Sequence, residues 1–176
     1  MEKNLLLIQG LNGQSVKDVV SEVYELERAS WDKSMRTSND NLSNRLHIFS
    51  DGLWRLYWNL SLVSYMFFIR LNKENVNGYE TWSDYCADGT CNNHTKEGDV
   101  LFGVSIGSIK RNMGNKIFDM GINKISEGVY EEIKKIHICG RIPTLSLNFL
   151  DAAAVSSLDL ESLGYSLIME KNILLK

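Results

Sequence analysis

The feature that most constrains this chain is a junction past its middle. There an apolar run, Val100 to Ile109 (VLFGVSIGSI), passes through Lys110-Arg-Asn-Met-Gly-Asn-Lys116 into a helix-period pattern. The run reads as a strand, and its interior Gly103 and Gly107 mark a bulge or a place where something approaches the backbone closely. Beyond Asn115 the apolar residues Phe118, Ile122, Ile125, Val129, Ile133 and Ile136 are spaced by four, three, four, four and three, which predicts an amphipathic helix. Lys134 and Lys135 then fall in its last turn, where cations complement the helix dipole. Gly121 and Gly128 each cost about 1 kcal/mol against alanine, so the helix is expected to bend or to stop short of the full pattern. Free N–H groups at its N-terminus, with Lys110, Arg111 and Lys116 beside them, make an anion cradle. The sequence has the form R-x-x-G-x-K and is neither a Walker loop nor G-x-G-x-x-G. Two readings stand: a phosphate site, or a Gly114 that only shapes the turn before a helix.

The rest of the chain alternates strands and helices. Leu5 to Ile8 reads as a first strand stopped by Gly10 and Gly13. Ser15 can cap a helix with Val16, Val19, Val20, Val23, Leu26 and Trp31 on one face and Lys17, Asp18, Glu22 and Glu25 on the other. A second helix starts at Thr37 or Ser38, includes Leu42, Leu46 and Phe49, and ends at Asp51-Gly52. Leu53 to Trp58 and Leu62 to Leu71 read as a hairpin broken at Asn59. The polar stretch from Asn72 to Asp99 reads as a long loop or inserted excursion. After Pro143, Thr144 to Leu150 reads as a strand. Asp151 caps a helix over Ala152 to Leu163 that Gly164 closes, Tyr165 to Met169 forms another strand, and Asn172 to Leu175 a last one. One α/β domain over residues 1–176 is the economical reading.

Composition excludes several classes. With 44% apolar and 23% charged residues and one proline among 176, the chain is no disordered tail, collagen repeat or disulfide miniprotein. Its net charge of −3, from 19 basic and 22 acidic residues, includes no cationic block, so nucleic acid is not an expected partner. The apolar run near the N-terminus is shorter than a secretory core. Leu60 to Ile69 is about half the ~20 residues needed to span a bilayer, so no membrane is expected. Cys86, Cys91 and Cys139 are an odd number without an export signal, which implies a reduced, cytoplasmic protein.

The order of elements, with Arg111-x-x-Gly114-x-Lys116 at the exit of the fourth strand, resembles the GNAT superfamily of N-acetyltransferases. Val19–Trp31 (VVSEVYELERASW) is similar to the family's first helix, and Asn41–Gly52 (NLSNRLHIFSDG) to its second. Asn93–Ile106 (NHTKEGDVLFGVSI) resembles the lead into strand four, and Leu158–Tyr165 (LDLESLGY) the closing helix and its turn. The resemblance implies a mixed central sheet of about six or seven strands flanked by about four helices, with strands four and five splayed around a pantetheine arm. It implies acetyl-CoA or another acyl-CoA as cofactor, held by the backbone of Asn112, Met113, Gly114, Asn115 and Lys116 with Lys110 and Arg111, and by Val104, Ser105 and Ile106 on strand four. Acyl transfer by direct attack would go to a small-molecule amine or a carrier-bound acceptor, and a second copy of the chain is a candidate partner.

Three departures from the family pattern follow. Lys116 replaces a small residue of the loop, Leu160 stands where a general-acid tyrosine is usual, and Ala153 where an asparagine is usual. Gly140-Arg-Ile-Pro-Thr-Leu-Ser-Leu147 resembles a segment of less typical GNAT members, similar to polyketide-pathway acyl-loading or decarboxylating domains. The alternative to an acyltransferase is a catalytically impaired CoA-binding or interaction module. In the enzyme reading Asn148 and Ser105 are polar groups near the thioester, Tyr165 or Tyr130 is a proton donor, and Glu97, with His94 and Asp99, supplies a base. Trp31 and His94 are candidates for lining the acceptor pocket. The competing reading makes His94, Glu97 and Asp99 a solvated loop and the tryptophans core. Cys86-x4-Cys91-x2-His94, completed by His137 or Cys139, has irregular spacing for zinc, so no metal is expected.

Overall fold

The computed structural model describes residues 5–130, 133–138 and 166–169. Through them runs a six-stranded sheet in the order β1-β2-β3-β4-β5-β6, the same as the order along the chain. β1 (Leu5–Gln9), β2 (Leu53–Trp58), β3 (Ser61–Leu71) and β4 (Val100–Ser108) pair antiparallel. β5 (Lys135–Ile138) and β6 (Ser166–Met169) extend the sheet in parallel.

The first two long helices begin where small polar side chains cap them. Ser15 Oγ accepts from the Asp18 N–H at 3.1 Å and opens α1 (Val16–Ser30), and Ser38 does the same for Asn41 at the start of α2 (Asn39–Phe49). The apolar stripe Val19, Val20, Val23 and Leu26 of α1 is buried, as expected. At the β2–β3 turn Asn59 and Leu60 both have positive φ, which pins the hairpin at the expected break.

β3 is sealed on both sides. Tyr65, Phe67, Ile69 and Leu71 face α1 and α2 in one core, while Met66 and Phe68 face the opposite core with Trp54, Ile117 and Ile125. The second core contains α5 (Met113–Ser126). Gly121 lets α5 lie close to the sheet, since a Cβ there would run into the Met66 methyl.

Two expectations are corrected. The helix does not run to Ile136: α5 ends at Ser126, Gly128 turns left-handed at φ 88°, and Lys135–Ile138 is strand β5. Ile125, Ile133 and Ile136 are nevertheless all buried in one core, so the spacing marked a buried face and not a continuous helix. Val129, counted on that face, is 40% exposed.

The segment 72–99 is not an excursion but carries two short helices, α3 (Lys73–Val76) and α4 (Trp82–Cys86), the latter opened by a Thr81–Asp84 capping box. It is stitched to β3: the Arg70 N–H donates to His94 Nδ1, the Thr95 N–H to the Arg70 carbonyl, and Arg70 Nε to the Gly98 carbonyl. Val76, Tyr85, Cys86 and Cys91 then complete the core on the α1 side. The fifth described strand is Lys135–Ile138, and the expected strand at 144–150, the helix at 152–163 and the strand at 172–175 lie outside the described residues.

Candidate functional site

The β3–β4 ladder slips by one residue. Phe67 pairs with Ser105 and Phe68 with Gly103, leaving Val104 as an extra residue, a bulge of the kind the interior glycines foreshadow. Strand alternation breaks there: Val104 lies in the core on the α1 side, and Ser105, opposite Phe67, points to that same face. Among the described residues the bulge is also where the pairing of β4 with β5 stops. β5 pairs with Val100–Gly103, and among the described residues Val104–Ser108 have no strand partner on that side. Trp82 Nε1 donates to the Val104 carbonyl at 2.8 Å, so α4 meets the strand at the same point.

Past β4 the chain turns into α5. Asn112 takes the left-handed conformation at φ 66°, which asparagine tolerates, and its side chain makes no capping bond. The Met113 N–H donates to the Lys110 carbonyl and the Lys116 N–H to the Asn112 carbonyl. That leaves the Gly114 and Asn115 N–H groups in a first turn with no acidic residue. These groups border an open recess of about 370 Å³ lined by Ser108 to Asn112, Gly114 and Asn115. A Cβ on Gly114 would meet only Ser108 Cβ, at 3.7 Å, so no protein contact requires glycine there and the space belongs to the recess. Free N–H groups at a helix N-terminus favour an anion. Arg111 and Lys116 are exposed beside it, while the Lys110 ammonium lies over the Trp58 ring.

Behind the bulge lies a buried polar cluster. Arg45 Nη1 donates to Ser105 Oγ at 3.3 Å and Nε to the Gly89 carbonyl at 2.8 Å. The Tyr65 hydroxyl donates to Glu27 Oε1, and the Ser105 hydroxyl interacts with the same phenol. Burial above all, then the Glu27 charge, holds the Tyr65 phenol well above its ordinary range. Burial likewise pushes the Cys91 thiol up to about 11 despite the neighbouring Arg45 guanidinium.

The expected site residues divide into groups. Val104, Ser105 and Ile106 lie together on the half of β4 beyond its described pairing with β5, and Lys110 to Lys116 form its exit turn and the first turn of α5. His94 stacks on Phe49 at 4.4 Å and accepts from the Arg70 backbone, while Glu97 is exposed in the turn before β4. Both precede the N-terminal end of β4, the end opposite the exit turn. Trp31 is half-buried at the end of α1, where its carbonyl accepts from Arg36. Asn148 and Tyr165 lie outside the described residues. Glu27, Arg45 and Tyr65 were not anticipated. A usable signal was present, because Glu27 falls seven residues after Val20 and four after Val23, on the apolar stripe of α1. Among the described residues no three His, Cys, Asp or Glu side chains group to hold a metal ion, and no helix is long and apolar enough to cross a membrane.

No family model matches the sequence, and no curated protein matches it either. Solved structures do match the fold. The loading GNATL domain of CurA from Lyngbya majuscula superposes with a TM-score of 0.62 at 14% identity, over 82% of this chain and 70% of that one. A GphF GNAT-like decarboxylase solved in complex with isobutyryl-CoA superposes with a TM-score of 0.61 at 14% identity, over 84% and 74%. The chain therefore has the GNAT fold, as the order of its motifs implied, and its structural neighbours are GNAT-like domains.

Proposed function

We propose that the chain binds an acyl-CoA along the half of β4 beyond its described pairing with β5 and passes its acyl group to a small-molecule amine or a carrier-bound acceptor. The observation that carries this reading is the uncapped first turn of α5 beside a glycine whose side-chain position is empty. The Gly114 and Asn115 N–H groups would hold the pyrophosphate, with Asn112, Met113 and Lys116 completing the turn and Lys110 and Arg111 supplying charge. Val104, Ser105 and Ile106 would line the pantetheine arm. Acyl-CoA supplies a thioester whose acyl carbon a nucleophile can attack, and the chain's task is to orient it and manage the protons. A neighbour of this fold, solved with isobutyryl-CoA, supports the ligand class. Glu97, Asn148 and Tyr165 are proposed catalytic residues, and Trp31 and His94 proposed acceptor contacts, on the resemblance. The buried Cys91 thiol accords with a proposed cytoplasmic setting.

The test is calorimetric titration with CoA, followed by thiol release from acetyl-CoA in the presence of a panel of primary amines. Arg111→Glu and Gly114→Trp should abolish CoA binding while leaving the unfolding transition in place, since neither side chain is in the core. Unchanged affinity in both variants would show that the cradle is not the CoA site. Binding without turnover would favour a CoA-binding module over an enzyme.

A further inference from the structure

Four polar side chains from four elements converge behind the β4 bulge: Glu27 of α1, Arg45 of α2, Tyr65 of β3 and Ser105 of β4. Glu27 and Arg45 are each 1% exposed and Tyr65 0%, whereas Ser105 is half-buried and gives the cluster its opening. The two opposite charges are linked in series, from Arg45 to Ser105 to Tyr65 to Glu27, rather than by a direct ion pair. Burying both charges is unfavourable against apolar side chains of equal volume, so the arrangement calls for a use. β4 is even cut back to accommodate it, because a Cβ on Gly107 would lie 2.5 Å from the Tyr65 ring.

We propose that Ser105, Tyr65 and Glu27 form a proton relay for acyl transfer at the bulge. Ser105 meets the acceptor, and Tyr65 and Glu27 act through it as positioning residues. The relay rests on the acyl-CoA reading above. As the acceptor amine or thiol bonds to the acyl carbon, its N–H or S–H bond breaks and Ser105 Oγ takes the proton. Ser105 gives its own proton to the Tyr65 oxygen, and Tyr65 gives its proton to the Glu27 carboxylate. The C–S bond breaks with its electron pair on sulfur, and the thiolate takes a proton from water. Glu27 returns its proton along the chain to the hydroxide so formed. Arg45, donating to Ser105 Oγ, stabilises negative charge on that oxygen during the transfer. The groups facing the Glu27 carboxylate are the Tyr65 phenol, the Thr37 N–H and, beyond Tyr65, the Arg45 guanidinium with Cys91 behind it.

The experiment compares the parent chain with Tyr65→Phe, Glu27→Gln and Ser105→Ala. CoA binding is measured by calorimetry. Release of CoA from acetyl-CoA is followed by chromatographic separation of CoA, with primary amines and with N-acetylcysteamine, in mixtures of light and heavy water. The parent should bind CoA, release thiol and show a bowed proton inventory, the sign of more than one proton in motion. Tyr65→Phe, which keeps the ring, should lower kcat about 100-fold with KM for acetyl-CoA unchanged and should turn the inventory into a straight line. Glu27→Gln should behave alike and carries the comparison if Tyr65→Phe fails to fold, and Ser105→Ala should lower kcat and straighten the inventory. Parental kcat with a bowed inventory in the folded variants would reduce the cluster to packing and overturn the relay. Parent protein that binds CoA but releases no thiol also overturns the relay and leaves the binding reading intact. Absence of CoA binding in the parent overturns both.

Discussion

Gly107→Ala offers a direct test of how tightly the face behind the bulge is built. Alanine is the better strand residue, and relief of glycine's conformational entropy should stabilise by about 0.5–1 kcal/mol. The new Cβ, however, would lie 2.5 Å from Tyr65 Cε1 and 2.9 Å from Leu26 Cδ2, well inside the ~3.5–4.0 Å at which carbon atoms rest against each other. Neither neighbour has room to retreat. Tyr65 is fully buried with its hydroxyl on Glu27, and Leu26 is 4% exposed in the same core. Overpacking by one methyl in such a place costs about 1–3 kcal/mol, which at mid-range leaves a net loss of about 1.3 kcal/mol. At about 2–4 °C per kcal/mol for a chain of this size, Tm should fall by roughly 3–5 °C. Urea unfolding followed by tryptophan fluorescence gives the free energy, and a thermal scan gives Tm. In a Tyr65→Leu background the same alanine should cost less, because the nearer of the two side chains it strikes is gone. Parental or higher stability of Gly107→Ala in the original background would refute the packing argument.

Two further outcomes follow from other contacts. Burial, then the nearby Arg70 charge, lowers the His94 pKa, so below about 6.5 the unfolded chain binds a proton that the folded chain refuses. Stability should therefore be full above that pH and fall as pH drops below it, and the slope of the urea midpoint between pH 7.5 and 5.5 should shrink in His94→Asn. Tyr130→Phe removes a hydroxyl that accepts from Trp54 Nε1 at 2.7 Å and donates to the Asp51 carbonyl at 2.6 Å. Leaving the buried indole N–H without its partner should cost about 1–3 kcal/mol in urea unfolding, and Trp54→Phe in the same chain should recover part of it.

Periodic signals were readable wherever the interactions that make them are local. The Ser15 and Ser38 caps, the stripe of α1, the β2–β3 hairpin and the strand character of β4 all depend on residues a few positions apart, and each stands where the pattern put it. The isoleucine spacing past Ser126 misled because a helix face and a strand face can feed the same core. The left-handed turn at Gly128 comes between them. The 72–99 segment looked polar because its burial rests on a few residues, Val76, Tyr85, Cys86 and Cys91, with no common period. The same division holds for the site. The anion cradle was visible, since it is seven consecutive residues. The Glu27–Tyr65–Ser105–Arg45 cluster depends on strand register and on which helices share a face, and neither is local.

The bulge at Val104 has a consequence for how this strand can change over time. Residues 100–103 and 105–108 follow two different phases of alternation, and Val104 is the step between them. Loss of one residue on either side of that step would merge the phases and turn half of the strand over. Ser105 would exchange faces with a neighbour, or Phe102 would leave its core. Point substitutions within β4 are judged one position at a time, but its length is held to the exact residue count, so insertions and deletions should be absent from this strand among functional descendants of the chain.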